Sequence, residues 1–402
     1  MSNTAVRHDH TTPEYRQLVG RAHDLIPELV AAAAETERAG MILPSIVARF
    51  HEAGLFRMVQ PRSVGGLGLE GSIFFDVGAE LSRGCASTSW VLGNLASHHL
   101  LQAHWPLAAQ DEVWGQSPDT LIGSSYVFPA GKAEKVDGGW MVSGRWPFSS
   151  GIDPCQWVQV GAMVPGADGK PTRRYFLLPR EHYVIHHDSW DTAGLRGTGS
   201  KDIEVAPVFV PEHRSVDYLA VVEGRSPGLE RHPEPLFRFP LWATGGYVLL
   251  ATLYGTASAA LERFVAGART SVARSSGGGI ASQSTVQQRI AKAAALLDAV
   301  ELVARRRLYD SCELVAREGR LPVEYGAKVR RDGTHCAQMC VEAIDLLFAA
   351  GGGSALYHDN PLQRAWRDIH AGAANLTLQW DVTGPAIGRY MLGLPAGLPG
   401  LP

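Results

Sequence analysis

Hydrophobic residues recur at helical spacing in both the first and the last part of the chain. One stripe near the start, at intervals of mostly three or four residues, is typical of one face of a helix: Leu18, Ala22, Leu25, Ile26 and Leu29. Two longer stripes near the end comprise Val286, Ile290, Leu297, Val300 and Ala304, and then Cys336, Met339, Cys340, Ala343, Ile344 and Leu347. We therefore predict helices from residue 14 to about 120, and again after residue 240.

The middle of the chain has a strand-like pattern instead. Between residues 122 and 215, β-branched and aromatic residues form short runs, separated by turn sequences such as the one at 136–139. Helices followed by strands and then helices are typical of a segregated α+β fold. The predicted domains are an N-terminal helical domain (1–122), a central β domain (123–222) and a C-terminal helical bundle (223–402).

Composition and charge narrow the function. The 402 residues exceed what one core usually holds. A net charge of -3 without a basic stripe argues against nucleic-acid binding. We expect no membrane segment and no secretion signal, because there is no long apolar run and the first 15 residues are polar. Five scattered cysteines do not suggest a disulfide framework, so a cytoplasmic protein is expected.

Two short motifs suggest a nucleotide or a metal, but their surroundings favour structural roles. Residues 66–71 match Gly-x-Gly-x-x-Gly, which requires a preceding strand and an acidic residue about 20 positions later. Pro61 interrupts the preceding run, and positions 88–92 carry no acid, so a turn between helices is preferred. Cys336 and Cys340 follow His335 on an apolar stripe with no second Cys/His cluster nearby, and no metal site is predicted.

Paired histidines and serines are further candidates for chemistry. They are His98 and His99 near the end of an apolar helix, Ser124 and Ser125 at the start of the β region, and Ser149 and Ser150 at a strand end. Such histidines are most often packing or surface groups, and such serines most often bond their own backbone in turns. Spacing alone leaves both interpretations open.

Several stretches, in this order, resemble the acyl-CoA dehydrogenase superfamily. They are residues 54–68, 144–151 and 208–211, and then Gly351-Gly352, Arg364 and Arg367-Asp368. The resemblance spans residues 20 to 395. It implies an α+β fold with an N-terminal helical domain, a central antiparallel β-barrel and a C-terminal four-helix bundle, which binds a flavin and forms a homotetramer or homodimer.

Within that superfamily the chain departs from the dehydrogenases. Residues 376–389 lack the glutamate that removes the α-proton of a thioester. Residues 146–151 and 190–202 resemble instead the two-component, reduced-flavin-dependent aromatic hydroxylases of this fold. Those enzymes take FADH2 or FMNH2 from a separate NAD(P)H:flavin reductase, form a flavin C4a-hydroperoxide with O2 and hydroxylate a small aromatic substrate.

The resemblance implies flavin contacts for particular residues. Phe148 would pack on the isoalloxazine, Ser150 would hydrogen-bond its N5, and Ser149 would also contact the cofactor. Arginines near the 275–279 loop suit the flavin phosphate, because guanidinium matches phosphate geometry. The remaining expected cofactor contacts are Arg263, Arg274, Gly352 and Gly353.

The same resemblance implies a catalytic set. Ser125 and one of His98 and His99 would orient the substrate's ring hydroxyl. Only one of two adjacent helical residues can face the cavity, and His99 is preferred. A histidine of near-neutral pKa would accept the phenolic proton. Asn375 stands where the hydroxylases carry a further histidine near the flavin, so it would stabilise bound oxygen as an uncharged donor.

Three hypotheses follow. The first is an oxygenase that hydroxylates a phenolic, polycyclic or indole-like metabolite. The second is an enzyme of the same fold with other chemistry, namely an N-oxygenase or a flavin oxidase or dehydrogenase. The third is a non-catalytic relative, against which the retained Ser150 loop argues.

Overall fold

The N-terminal part is helical, as its hydrophobic stripes predict. The computed structural model describes residues 12–166, 169–270, 279–398 and 400–401. Helix α5 is buried over almost its whole surface and packs against α4, the sheet and the C-terminal helices, so it lies at the centre of the molecule. The helices are α1 (Pro13–Asp24), α2 (Ile26–Ala39), α3 (Pro44–Glu52), α4 (Ile73–Ser82), α5 (Ala86–Gln102) and α6 (Leu107–Trp114).

The central part is one mixed sheet. Its strand order is β6-β7-β3-β2-β4-β5-β8, and β1 pairs with β4 outside this path. The strands are β1 (Ile122–Ser125), β2 (Gly131–Val136), β3 (Gly139–Ser149), β4 (Trp157–Pro165), β5 (Pro171–Pro179), β6 (Val184–His186), β7 (Lys201–Pro211) and β8 (Ser215–Asp217).

The predicted antiparallel barrel is therefore wrong in two respects. Strands β1 and β2 each run parallel to β4. Strands β6 and β8 each pair on one side only among the described residues, so the sheet is open. Short runs separated by turns predict strands, but they do not specify which strands become neighbours.

The C-terminal part is a helical bundle. After the short α7 (Tyr218–Val222), helix α10 packs against α8, α9 and α11. Cys336 and Cys340 are buried in this core, as their apolar stripe predicts. The helices are α8 (Leu241–Ala268), α9 (Ser284–Glu318), α10 (Val323–Gly351), α11 (Pro361–Ala373) and α12 (Trp380–Met391). How the chain divides into independent domains stays a prediction.

Two stretches of this bundle, Leu241–Ala268 and Val323–Leu356, are long and apolar enough to cross a membrane by length and composition. Core helices of soluble proteins meet the same criterion. More than half of the apolar window of α8 is buried against other elements. Core packing therefore explains its composition.

Residues 66–71 form a turn before α4 and do not follow a strand. A side chain at Gly66 would collide with the Gln60 carbonyl, because an added Cβ would lie 2.1 Å from that oxygen. Close backbone approach thus accounts for this glycine. The interpretation of this motif as a turn is confirmed.

Arg367 and Asp368 on α11 join the three parts of the chain. Arg367 donates to Ala193 O over 2.6 Å and pairs with Glu37 of α2 at 2.6 Å. Asp368 Oδ1 accepts from the backbone N–H of Leu195 at 2.7 Å. We call these contacts the Arg367–Asp368 clamp, and residues 190–200, which it holds, the 190–200 loop.

The clamp is closely packed. An added Cβ at Gly194 would lie 2.1 Å from Arg367 O, and Leu195 adopts a left-handed φ of 51°. Burial raises the pKa of Asp368 to about 6, although the Leu195 N–H and the Arg367 charge oppose this shift. Desolvation of this carboxylate is unfavourable, and its hydrogen bond with the buried Leu195 N–H offsets part of that cost.

Replacing Asp368 by Ala should lower the free energy of unfolding by about 1–3 kcal/mol, because the buried Leu195 N–H loses its acceptor. Asp368→Asn retains an acceptor oxygen and should lose clearly less. Urea unfolding of the two variants measures the difference. Equal losses would show that the Leu195 contact contributes nothing.

Candidate active site

A cavity of about 1180 Å³ lies where the three parts of the chain meet. Its walls come from α5, β1, the end of β3, the 190–200 loop, α7, the start of α8 and the end of α11. The volume exceeds the about 300–1,000 Å³ of most small-molecule sites. No Asp or Glu belongs to its lining among the described residues.

His98 of α5 lies in the wall of this cavity, and its tautomer follows from its contacts. Its Nδ1 lies 2.6 Å from Ile122 O, and a carbonyl oxygen only accepts, so Nδ1 carries the proton. Nε2 is then the lone-pair nitrogen and accepts from Ser124 Oγ at 2.7 Å. Burial lowers the pKa of His98 to about 4, below the near-neutral value expected from the sequence.

His99 points away from the cavity, so the prediction that it is the inward-facing histidine is wrong. Its Nδ1 accepts from Trp114 Nε1 at 3.1 Å, and the two rings stack with centroids 6.0 Å apart. Burial lowers its pKa to about 3. Because α5 is buried on nearly every side, its hydrophobic pattern does not show which face meets the cavity.

Ser124, rather than Ser125, is the hydroxyl that contacts His98. Both serines line the cavity, but Ser125 Oγ donates to Pro147 O at 2.6 Å. Ser125 therefore keeps only acceptor capacity toward a ligand. The expected role of Ser125 toward a substrate hydroxyl stays a prediction, and Ser124, which was not among the expected site residues, is added because strand register brings its hydroxyl to α5.

Phe148 is exposed on the cavity wall in a strained conformation. Its φ is 66°, which a bulky residue rarely adopts, and 65% of its surface is exposed. Trp190 of the 190–200 loop meets it edge to face, with centroids 6.3 Å apart. An exposed apolar ring in a strained backbone conformation is suited to packing against a planar ligand, such as the expected isoalloxazine.

Ser150 follows the end of β3 beside Phe148. Its Oγ shares a hydrogen bond with Ser200 Oγ at 2.7 Å and accepts from Trp90 Nε1 at 3.3 Å. Ser150 and its two partners all line the cavity. Ser149 does not: it is fully buried, and its hydroxyl has no partner in the described part of the chain.

Asn375 lines the cavity after α11, with part of its side chain already engaged. Its Oδ1 accepts from the N–H and the hydroxyl of Thr377, at 3.0 and 2.8 Å. Only the Nδ2 donor thus remains for a ligand. His370 also lines the cavity, but its Nε2 lies 3.0 Å from Asp345 Oδ1.

Arg263 borders a second cavity of about 260 Å³, together with Arg83 and Arg364. It donates to the Arg83 carbonyl at 2.7 Å. Burial, followed by the charges of Arg364 and Arg83, lowers its pKa. Asp368 also borders this cavity, but Arg263 and Arg364 form no ion pair within the described ranges, so their two charges favour an anion such as the expected flavin phosphate.

The remaining sequence candidates are not placed in either cavity. Gly352 and Gly353 are exposed beyond α10, whereas the neighbouring Gly351 borders the second cavity. Gly352 has φ 56° and ψ -150°, a conformation that side chains exclude. Arg274 lies outside the described residues. No cluster that could hold a metal occurs among the described residues.

Three buried histidines predict acid sensitivity. Burial lowers the pKa of His98 and His104 to about 4 and that of His99 to about 3, whereas an unfolded histidine has a pKa of about 6.5. The unfolded chain thus binds more protons, so the free energy of unfolding should fall as pH drops from about 6.5 to about 4.

Asp368, with its raised pKa, opposes this trend, whereas His51 and His232, whose pKa values burial also lowers, reinforce it. Urea unfolding between pH 7.5 and 4.5 tests the sum, and His99→Leu should reduce the slope. A stability that stays constant or rises on acidification would contradict the buried, neutral histidines.

Comparisons with known proteins show which family the chain belongs to. Residues 12–108 match the family model of the acyl-CoA dehydrogenase N-terminal domain, and residues 247–380 match that of the C-terminal domain. The chain is 36% identical over 395 residues to the oxygenase component of an FADH(2)-dependent resorcinol hydroxylase from a Rhizobium species, covering 96% of each chain.

Two solved structures are similar over nearly the whole chain. The HsaA monooxygenase of Mycobacterium tuberculosis superimposes with a TM-score of 0.90 at 33% identity, covering 96% of this chain and 100% of that one. XiaF from Streptomyces, in complex with FADH2 and glycerol, gives 0.87 at 29% identity, covering 96% and 98%. The chain therefore belongs to the acyl-CoA dehydrogenase superfamily and, within it, to the oxygenase components of two-component, flavin-dependent aromatic hydroxylases.

Proposed function

We propose that this protein hydroxylates a neutral phenolic ring, using O2 and reduced FAD delivered by a separate reductase. The observation that carries the proposal is the neutral His98, whose lone-pair Nε2 is linked through Ser124 to an otherwise largely apolar cavity. The reduced flavin supplies the activation of O2 when it is bound. The protein supplies the orientation of the ring and the acceptor for its proton.

Ser124 and His98 form the proton-accepting pair in this proposal. The substrate hydroxyl donates to Ser124 Oγ, which donates to His98 Nε2. As oxygen transfer makes the ring electron-poor, its hydroxyl becomes acidic and the pair accepts the proton. General-base help of this kind contributes about 10²- to 10⁴-fold. Because burial keeps His98 neutral at pH 7, its acceptor nitrogen stays available.

In this proposal the flavin lies at the Phe148 end of the cavity. Phe148 offers the planar contact, and Ser150 offers a hydroxyl to N5. Arg263 is the proposed phosphate contact, with Arg364 beside it. We favour FAD over FMN because the resorcinol hydroxylase relative is named FADH(2)-dependent and the XiaF complex contains FADH2.

The charge of the cavity separates the proposed activity from its alternatives. A base for removing a thioester α-proton would have to be a carboxylate in the lining, and the described residues contribute none. A cationic amine would also find no anion there, and burying it unpaired is costly. Neutral aromatic substrates fit best, and the second candidate, an N-oxygenase, would require an uncharged amine.

We also propose that the protein works as a homotetramer or homodimer. Large apolar side chains are exposed near the C-terminal end of the fold, which supports self-association. They are Leu356, Tyr357, Met391 and Leu392.

The proposed activity predicts oxygen insertion into phenols. The purified protein, an NADH-dependent flavin reductase, FAD and ¹⁸O2 should convert phenols to catechols that carry one ¹⁸O atom, detected by mass spectrometry. Reductase without the oxygenase is the control. Oxidation of amines or acyl thioesters in the same panel, with phenols unchanged, would overturn the proposal.

His98→Ala should lower the hydroxylation rate by about 10²- to 10⁴-fold while the reduced flavin is still reoxidised. His99→Ala is the matched control, and its effect should be on stability instead. In the wild type, kcat/KM should show no histidine limb between pH 5 and 8, because the His98 pKa lies near 4. A pH dependence of kcat/KM with a pKa near 6.5 that disappears in His98→Ala would contradict the conclusion that His98 is buried and neutral.

Ser150→Ala should raise the fraction of O2 released as H2O2, since the flavin N5 loses a hydrogen bond that is usually worth about 1–3 kcal/mol when its partner stays buried. Ser149→Ala removes a neighbouring hydroxyl that does not line the cavity and should leave this fraction unchanged. The peroxide yield per NADH consumed is the measurement. Identical yields for both variants would remove Ser150 from the site.

A further inference from the structure

The main cavity continues well beyond His98. Residues of α5 and the turn after it line the cavity from Trp90, through Asn94 and His98, to His104. At about 1.5 Å per residue, Trp90 and His98 are about 12 Å apart along the helix, and His104 lies in the turn beyond the C-terminal end of α5. The proposed flavin position is at the Phe148 end, and the hydroxylated ring lies at the His98–Ser124 pair. Neither of them therefore occupies the His104 end of the cavity.

Aromatic rings continue the wall from His98 to that end. Tyr126 meets His98 with centroids 6.2 Å apart, Tyr175 meets Tyr126 at 5.2 Å, and Tyr218 meets Tyr175 at 5.8 Å. Val221 and other apolar residues complete this part of the lining. The space suits a second ring or an apolar extension of the substrate.

Two polar atoms interrupt this apolar end. His104 is 5% exposed, and its Nδ1 lies 2.5 Å from Ser226 Oγ. Its Nε2 and the hydroxyl of Tyr175 have no hydrogen-bond partner within the described ranges. Both atoms keep some accessible surface, and both residues line the cavity. Two buried side chains thus present unused hydrogen-bonding groups to the same pocket end.

We propose that His104 and Tyr175 bind a second oxygen substituent of the substrate, a neutral hydroxyl or carbonyl on a part of the molecule beyond the hydroxylated ring. The substrate is then a phenol of at least two rings, or of comparable length, and this inference rests on the proposed phenol hydroxylation. A carboxylate is disfavoured, because His104 is neutral and burying an unpaired anion is costly.

Phenol, 4-hydroxybiphenyl and 4,4'-dihydroxybiphenyl serve as probes, with the oxygenase loaded anaerobically with reduced FAD. Calorimetry gives the Kd of each probe. The wild type should bind the bisphenol about tenfold more tightly than 4-hydroxybiphenyl, and Tyr175→Phe should reduce that ratio to about twofold or less. Tyr183→Phe, which removes a buried hydroxyl that bonds Cys155 O outside the cavity, should keep the wild-type ratio.

Equal affinities of the wild type for the two biphenyls would overturn the inference. So would a Tyr175→Phe variant that keeps the ratio, or tighter binding of 4'-hydroxybiphenyl-4-carboxylate than of the bisphenol. Hydroxylation of each probe is measured separately. If the affinity ratio of the two biphenyls changes as expected but no probe is hydroxylated, the binding role of His104 and Tyr175 is supported and the proposed function fails.

Discussion

The Arg367–Asp368 clamp is the constraint on which the site depends. It fixes α11 to α2 through Glu37 and to the 190–200 loop through Ala193 and Leu195. The loop in turn supplies Trp190 and Ser200 to the cavity wall. A carboxylate in so desolvated a position is costly, and the buried backbone donor and neighbouring guanidinium offset that cost. One pair of side chains thereby links three parts of the chain at the cavity.

The functional groups of this cavity lie one after another along α5. The strained Phe148 and the Ser150 hydroxyl stand at one end, the neutral His98 with Ser124 in the middle, and His104 with Tyr175 at the other end. Burial determines the chemistry at each histidine, since it keeps the imidazole uncharged and leaves it as an acceptor or donor. With no carboxylate in the described lining, the site favours neutral aromatic ligands over thioesters and cationic amines.

The sequence predicts much of this and fails where three-dimensional register decides. Helical stripes and β-type runs locate the elements, and the order of motifs identifies the superfamily. The closed antiparallel barrel is wrong, because local turns do not determine that β1 and β2 run parallel to β4. The choice of His99 is wrong, because a helix buried on all sides has no polar face to mark the cavity. The His98 pKa depends on desolvation, which residue type does not reveal.

The central claim is that the flavin lies at the Phe148 end and the substrate at His98. A crystal structure of the protein grown anaerobically with reduced FAD and a bound phenol tests it most directly. We predict the isoalloxazine against Phe148 with N5 within hydrogen-bonding distance of Ser150, and the phenol hydroxyl on Ser124 beside His98. An isoalloxazine at the His104 end, or a phenol with no contact to the His98–Ser124 pair, would contradict this account.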